Sequence, residues 1–188
     1  MAAEQTNKPA SKPAAKGAFS VRALVEAAVM VALATVLSLI VVYRMPQGGS
    51  ITPASMVPIL VLAFRRGPKV GVAAGAVYGV IQLLLEPVVV HWAQVILDYP
   101  LPFALLGLAG LFPRRPYAGV VVGIAGRFVS HVLSGAVFFA SYAPAGMNAW
   151  VYSLVYNASY LVPELVLSLI VIFLLSLGTR RRILARVD

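Results

Sequence analysis

The stretch ALVEAAVMVALATVLSLIVVY, Ala23 to Tyr43, carries a single charge, Glu26, in twenty-one residues. About 20 apolar residues in a helix are enough to cross the ~30 Å hydrocarbon core of a bilayer. A signal-peptide core is shorter, about 7–15 residues, and ends at a small-residue cleavage site. Here the chain continues Arg44-Met-Pro-Gln-Gly-Gly-Ser, so the run reads as a retained first span.

Working outward, five more apolar segments follow. The expected helices cover Ser20–Tyr43, Thr52–Phe64, Val70–Leu85, Ala93–Phe112, Tyr117–Ser141 and Asn148–Leu177. The second is short and reaches part-way. The fourth is interrupted by Pro100 and Pro102, whose missing N–H groups only a surrounding bundle can compensate. No strand-forming alternation competes. The fold class is therefore an all-α integral membrane protein of six transmembrane helices. Composition agrees: 61% of residues are hydrophobic and 11% charged, against roughly 25% charged in a soluble domain. The expected organisation is a disordered basic N-terminal tail (1–19), a six-helix membrane domain (20–179) and a basic cytoplasmic C-terminal tail (180–188).

The cations orient this topology. Lys8, Lys12, Lys16 and Arg22 precede or open the first span. Arg65, Arg66 and Lys69 lie between the second and third, Arg114 and Arg115 between the fourth and fifth, and Arg180, Arg181, Arg182 and Arg186 follow the sixth. With six spans these thirteen fall on one side, out of fifteen Lys and Arg in all. The positive-inside rule puts that side, with both termini, in the cytoplasm. A net charge of +9 thus reads as membrane orientation, and no nucleic acid is implied.

Ionisable residues within spans are costly in lipid and face a cavity or a partner. They are Asp98, Arg127, His131 and Glu164; Glu26 lies near an end, within reach of Arg22. His91, Gln94 and Asp98 share one helix face, Arg127, His131, Gly135 and Phe139 form a column at i+4 steps, and Ser153, Tyr156, Asn157, Tyr160 and Glu164 make a polar and aromatic stripe beside Tyr152. Facing one another, these stripes enclose either a pocket for a small amphipathic ligand or a set of interhelical hydrogen bonds around an Asp98–Arg127 ion pair. His91 reads as an interface residue beside Trp92. Gly71, Gly75 and Gly79, and Ala28 and Ala32, allow close helix approach. There is no cysteine, hence no disulfide or thiolate metal site. No phosphate-binding loop, HExxH or G-x-S-x-G motif occurs, so neither enzyme activity nor a cofactor is expected.

Several blocks, in order, carry a family resemblance: Leu24-Val-Glu-Ala-Ala, Ser55-Met-Val-Pro-Ile, Arg65-Arg-Gly-Pro-Lys-Val-Gly, Leu97-Asp-Tyr-Pro-Leu, Ser141-Tyr-Ala-Pro-Ala-Gly-Met and Tyr152-Ser-Leu-Val-Tyr-Asn. The chain resembles the thiamine-specific substrate-binding (S) component of energy-coupling factor (ECF) transporters, from the tail to the last helix. The resemblance implies a six-helix S component in the bacterial cytoplasmic membrane that captures thiamine from outside. A coupling transmembrane subunit and two ABC ATPases then drive transport.

It also implies residue roles. Asp98 stands where the family has a binding Glu, followed by the same Tyr, Tyr99. Arg127 replaces a Lys; His131, Gly135, Tyr152 and Asn157 match directly. Phe139 replaces a Trp that stacks on the ligand, and Tyr78 replaces another pocket Trp. Ala28 and Ala32 match the motif that docks on the coupling subunit. Gln47, Gly48 and Gly49 match the outer loop that closes over the site. The pocket substitutions leave room for a thiamine precursor or phosphorylated form as cargo. The other alternative is a stand-alone carrier, proton-coupled through His131 and Asp98.

Overall fold

The computed structural model describes residues 19–46 and 49–178. The tail expected over 1–19, apart from Phe19, lies outside them, as do Gln47, Gly48 and the tail over 180–188.

The first helix, α1 (Val21–Leu39), starts where Ser20 accepts a hydrogen bond from the Ala23 N–H (3.3 Å). It stops short of Tyr43. The β-branched run Ile40-Val41-Val42 leads instead into an antiparallel ribbon, β1 (Tyr43–Arg44) on β2 (Ser50–Ile51), with Tyr43 opposite Ile51. The expectation that no strand competes, and that the helix runs to Tyr43, is corrected there: β-branched residues fit the extended backbone, and the Val42 N–H reaches the Ile51 carbonyl at 2.9 Å.

From β2 the chain enters the bundle as irregular backbone over residues 52–56. Such backbone survives at membrane depth only where protein surrounds it, and Thr52, Ala54, Ser55 and Met56 are all buried. Ala54 takes a left-handed conformation there (φ 62°). Helix α2 (Val57–Arg66) is buried on every side from Val57 to Phe64. Its ten residues rise about 15 Å, half a bilayer core. Gly67, at φ 84°, turns the chain into α3 (Pro68–Leu85), while Arg65 and Arg66 grip Glu26 of α1.

The fourth expected helix is in three pieces: α4 (Trp92–Asp98), α5 (Pro100–Leu105) and a 3-10 turn (Leu106–Leu111). The break falls at Tyr99, before Pro100, which opens α5. Backbone contact explains how α3 accommodates it. A Cβ on Gly75 would lie 2.1 Å from the Phe103 carbonyl oxygen, and one on Gly79 2.2 Å from that of Tyr99. Helices α6 (Pro116–Phe138) and α7 (Ala149–Gly178, with Pro163 inside) complete the bundle. Apart from short α2, five segments are long and apolar enough to cross a membrane: α1, α3, the α4–α5 unit with its 3-10 turn, α6 and α7. Together they make the expected six-helix architecture. Their outer faces carry exposed Leu, Val, Ile and Phe, the composition that lipid covers.

Candidate functional site

The break at Tyr99 sets Asp98 at the end of α4, inside the bundle, where three donors converge on it. Gln94 Nε2 and Ser134 Oγ donate to Oδ2 at 2.7 and 2.8 Å, and His131 Nδ1 lies 3.1 Å from Oδ1. On the far side of the imidazole, Arg127 Nε donates to Nε2 at 3.2 Å. A guanidinium only donates, so Nε2 accepts and the ring proton sits on Nδ1, directed at Asp98. The direct Asp98–Arg127 ion pair weighed from sequence is replaced by this relay through a neutral histidine. Arg127 also lies over the Phe103 ring, 4.3 Å from its centroid.

These groups wall a cavity of about 130 Å³. Asp98, Tyr99, Arg127, His131, Gly135, Phe139, Tyr152 and Asn157 line it, together with Gly49, which precedes β2. At Gly135, α6 presses against the side chains of α7: a Cβ would lie 2.2 Å from Ser153 Oγ. Asn157 is tied into the wall, donating to the Ser153 carbonyl (2.8 Å) and accepting from Tyr160 Oη (2.7 Å). Tyr152, Tyr156 and Tyr160 form an aromatic column with ring centroids about 6 Å apart. Gly49 is pressed on the Tyr160 ring, where a Cβ would come within 2.7 Å of a ring carbon.

Other expected site residues lie elsewhere. Tyr78 does not reach the cavity; it is buried behind Phe103, edge-on at 4.8 Å between centroids. Ala28 and Ala32 are exposed on α1. His91 caps α4, accepting from the Ala93 N–H at 3.1 Å, and stacks on Phe138.

The structure adds lining residues that sequence reasoning left out: Ser50, Gln82, Glu86, Val88 and Phe103. Gln82 had a signal, as an amide inside an apolar span; it donates to Ser38 Oγ at 2.9 Å. Phe103 had none among its apolar neighbours. Gln94, only 1% exposed, does more than share a face with Asp98. It also donates to the Val88 carbonyl (3.0 Å) and accepts from the Val90 N–H (3.1 Å). Tyr99 Oη accepts from the Val88 N–H (2.7 Å) and donates to the Glu86 carbonyl (2.8 Å). Residues 86–90 are thereby strapped over the cavity, and Glu86 pairs with Arg44 of the ribbon at 2.6 Å.

A helical bundle of several membrane spans, closed around a polar and aromatic cavity with one acidic and one basic pole, defines a membrane protein built to hold a small solute. Comparison narrows this class. Residues 24–183 match the family described as Thiamine transporter protein (Thia_YuaJ). The chain is 36% identical over 177 residues to the thiamine transporter ThiT of Bacillus subtilis (strain 168), covering 84% of this chain and 92% of that protein. It is 35% identical over 137 residues to the thiamine transporter ThiT of Lacticaseibacillus paracasei, covering 62% and 68%. A solved structure of ThiT from Listeria monocytogenes superposes with a TM-score of 0.79 at 25% identity, covering 88% of this chain and 98% of that one. The chain belongs to the thiamine transporter family, as a multi-pass bacterial membrane protein.

Proposed function

We propose that this chain is a non-catalytic thiamine-binding S component of an ECF-type importer in the cytoplasmic membrane. It captures thiamine from outside and delivers it with a coupling subunit and two ABC ATPases. The observation that carries the reading is the state of Asp98. Three neutral donors hold its carboxylate in place without cancelling its charge, and a carboxylate has about four acceptor positions, so one remains for a ligand. Thiamine brings a thiazolium cation to that pole, and in a low-dielectric cavity the pairing offsets the desolvation of both charges. The tyrosine column and Phe139 offer faces for stacking and cation–π contact, each of about 0.5–2 kcal/mol. Arg127 lies one histidine away, at the opposite pole, suited to the hydroxyethyl end.

In this reading Ala28 and Ala32, exposed on α1, dock on the coupling subunit. The loop of Gln47, Gly48 and Gly49 closes over the cavity, Gly49 lying against Tyr160. Family membership supports thiamine as cargo, and the exposed small residues are compatible with docking. Titration calorimetry of the purified protein tests the cargo: thiamine binds tightly, and Asp98→Asn weakens it by about 2–5 kcal/mol, at least thirtyfold. Absence of binding heat with the wild-type protein rules thiamine out. Co-purification with a coupling subunit and two ATPases tests the assembly; thiamine uptake by this chain alone in proteoliposomes overturns it.

A further inference from the structure

Among the described residues, three that line the cavity carry side-chain amides, and two of these are spent on the wall. Gln94 donates to the Val88 carbonyl and to Asp98, and accepts from the Val90 N–H. Asn157 donates to the Ser153 carbonyl and accepts from Tyr160 Oη. The third is Gln82 of α3. Its Nε2 donates to Ser38 Oγ of α1 at 2.9 Å, and among the described residues nothing donates to its Oε1.

The neighbours decide which amide atom is left free. Ser38 Oγ gives its proton to the Thr35 carbonyl at 2.8 Å, so toward Gln82 it accepts, and of the two amide ends only Nε2 can donate. Turning the amide over would take that proton from Thr35 and lose a hydrogen bond. Gln82 therefore carries a fixed acceptor. The tyrosine hydroxyls of the wall rotate to donate or accept, so they do not choose between a donor and an acceptor on a ligand. Glu86, one turn after Gln82, only accepts, but Arg44 engages it.

We infer that Gln82 Oε1 receives the exocyclic amine of the ligand's pyrimidine ring and makes the cavity select an amino over an oxo group there. This rests on the reading of the cavity as a thiamine site. With the thiazolium at Asp98 and the hydroxyethyl end toward Arg127, the amine is the ligand donor still without a partner. An oxo group in its place would set two acceptors against each other, and the Ser38 contact keeps the amide from turning to relieve them. Gln82 is thus a specificity-determining residue, and Ser38 positions it from outside the cavity.

The experiment measures, by titration calorimetry on the purified protein, thiamine and its analogue with an oxo group replacing the amine. The two share the thiazolium and the hydroxyethyl group. The wild-type protein prefers thiamine by about tenfold or more. In Gln82→Met, of similar length and without an acceptor, thiamine weakens about tenfold while the analogue holds its affinity, and the preference is lost. In Ser38→Ala the amide is free to turn, so the analogue tightens toward thiamine while thiamine holds. A merely structural role would weaken both ligands together. Equal affinities in the wild-type protein overturn the inference. So does a preference that survives in Gln82→Met or, should that variant not fold, in Ser38→Ala. Either result with a wild-type protein that binds thiamine leaves the cargo assignment standing and removes only this role; a wild-type protein that binds no thiamine removes both.

Discussion

Asp98 and Gln94 are one turn apart on α4, and the second holds the first. Gln94 satisfies the Val88 carbonyl and the Val90 N–H while donating to Asp98. Replacing it by Leu, of similar volume, removes the partner of the part-buried Val88 carbonyl and Val90 N–H, at about 1 kcal/mol. Gln94→Leu therefore lowers the thermal unfolding temperature in detergent and speeds amide exchange over residues 86–90. Unaltered exchange there would show that the strap is held by Tyr99 alone. The charged members of this cluster were legible in sequence, because an ionisable side chain in an apolar span has few roles open to it. Gln94 was legible only as a face-mate of Asp98. That its amide reaches back to close a loop follows from the extended course of residues 86–90, which no periodicity announces.

Two elements depart from straight spans, and the first of them shapes the cavity. The break at Tyr99 turns Asp98 inward, and α2 is a half-depth helix wholly enclosed by protein. Glycines make room for them. Gly75 meets the backbone of Phe103, whereas Gly126 faces only the Leu105 side chain, at 3.1 Å from a would-be Cβ. Backbone cannot yield as a rotamer can, so overpacking costs more at the first position, about 1–3 kcal/mol. Gly75→Ala should destabilise the protein by that amount, read as thermal unfolding, while Gly126→Ala stays near wild type; equal effects would refute backbone contact as the cause. Both prolines of the fourth segment were visible in sequence, as was the four-residue glycine spacing on α3. The ribbon at residues 43–51 was not, since two-residue strands leave no alternation to read.

Over the whole molecule, the positive-inside rule applied to the cations of the α2–α3 and α5–α6 turns predicts those turns in the cytoplasm and the ribbon, with residues 86–91 and 142–148, outside. The natural absence of cysteine makes this directly testable. A membrane-impermeant maleimide applied to intact cells should label Met147→Cys and spare Arg114→Cys, both positions being exposed; the reverse pattern inverts the topology and removes capture from outside.

Span number and the residues able to carry chemistry were already written in the chain, because lipid demands long apolar runs and tolerates charge only for a reason. The partners of those residues were not. Whether Asp98 meets Arg127 directly or through His131, and whether Tyr78 faces the cavity or stands behind Phe103, are settled by side chains converging from separate helices. That convergence depends on how the helices pack, to within an ångström, and linear spacing carries no such information.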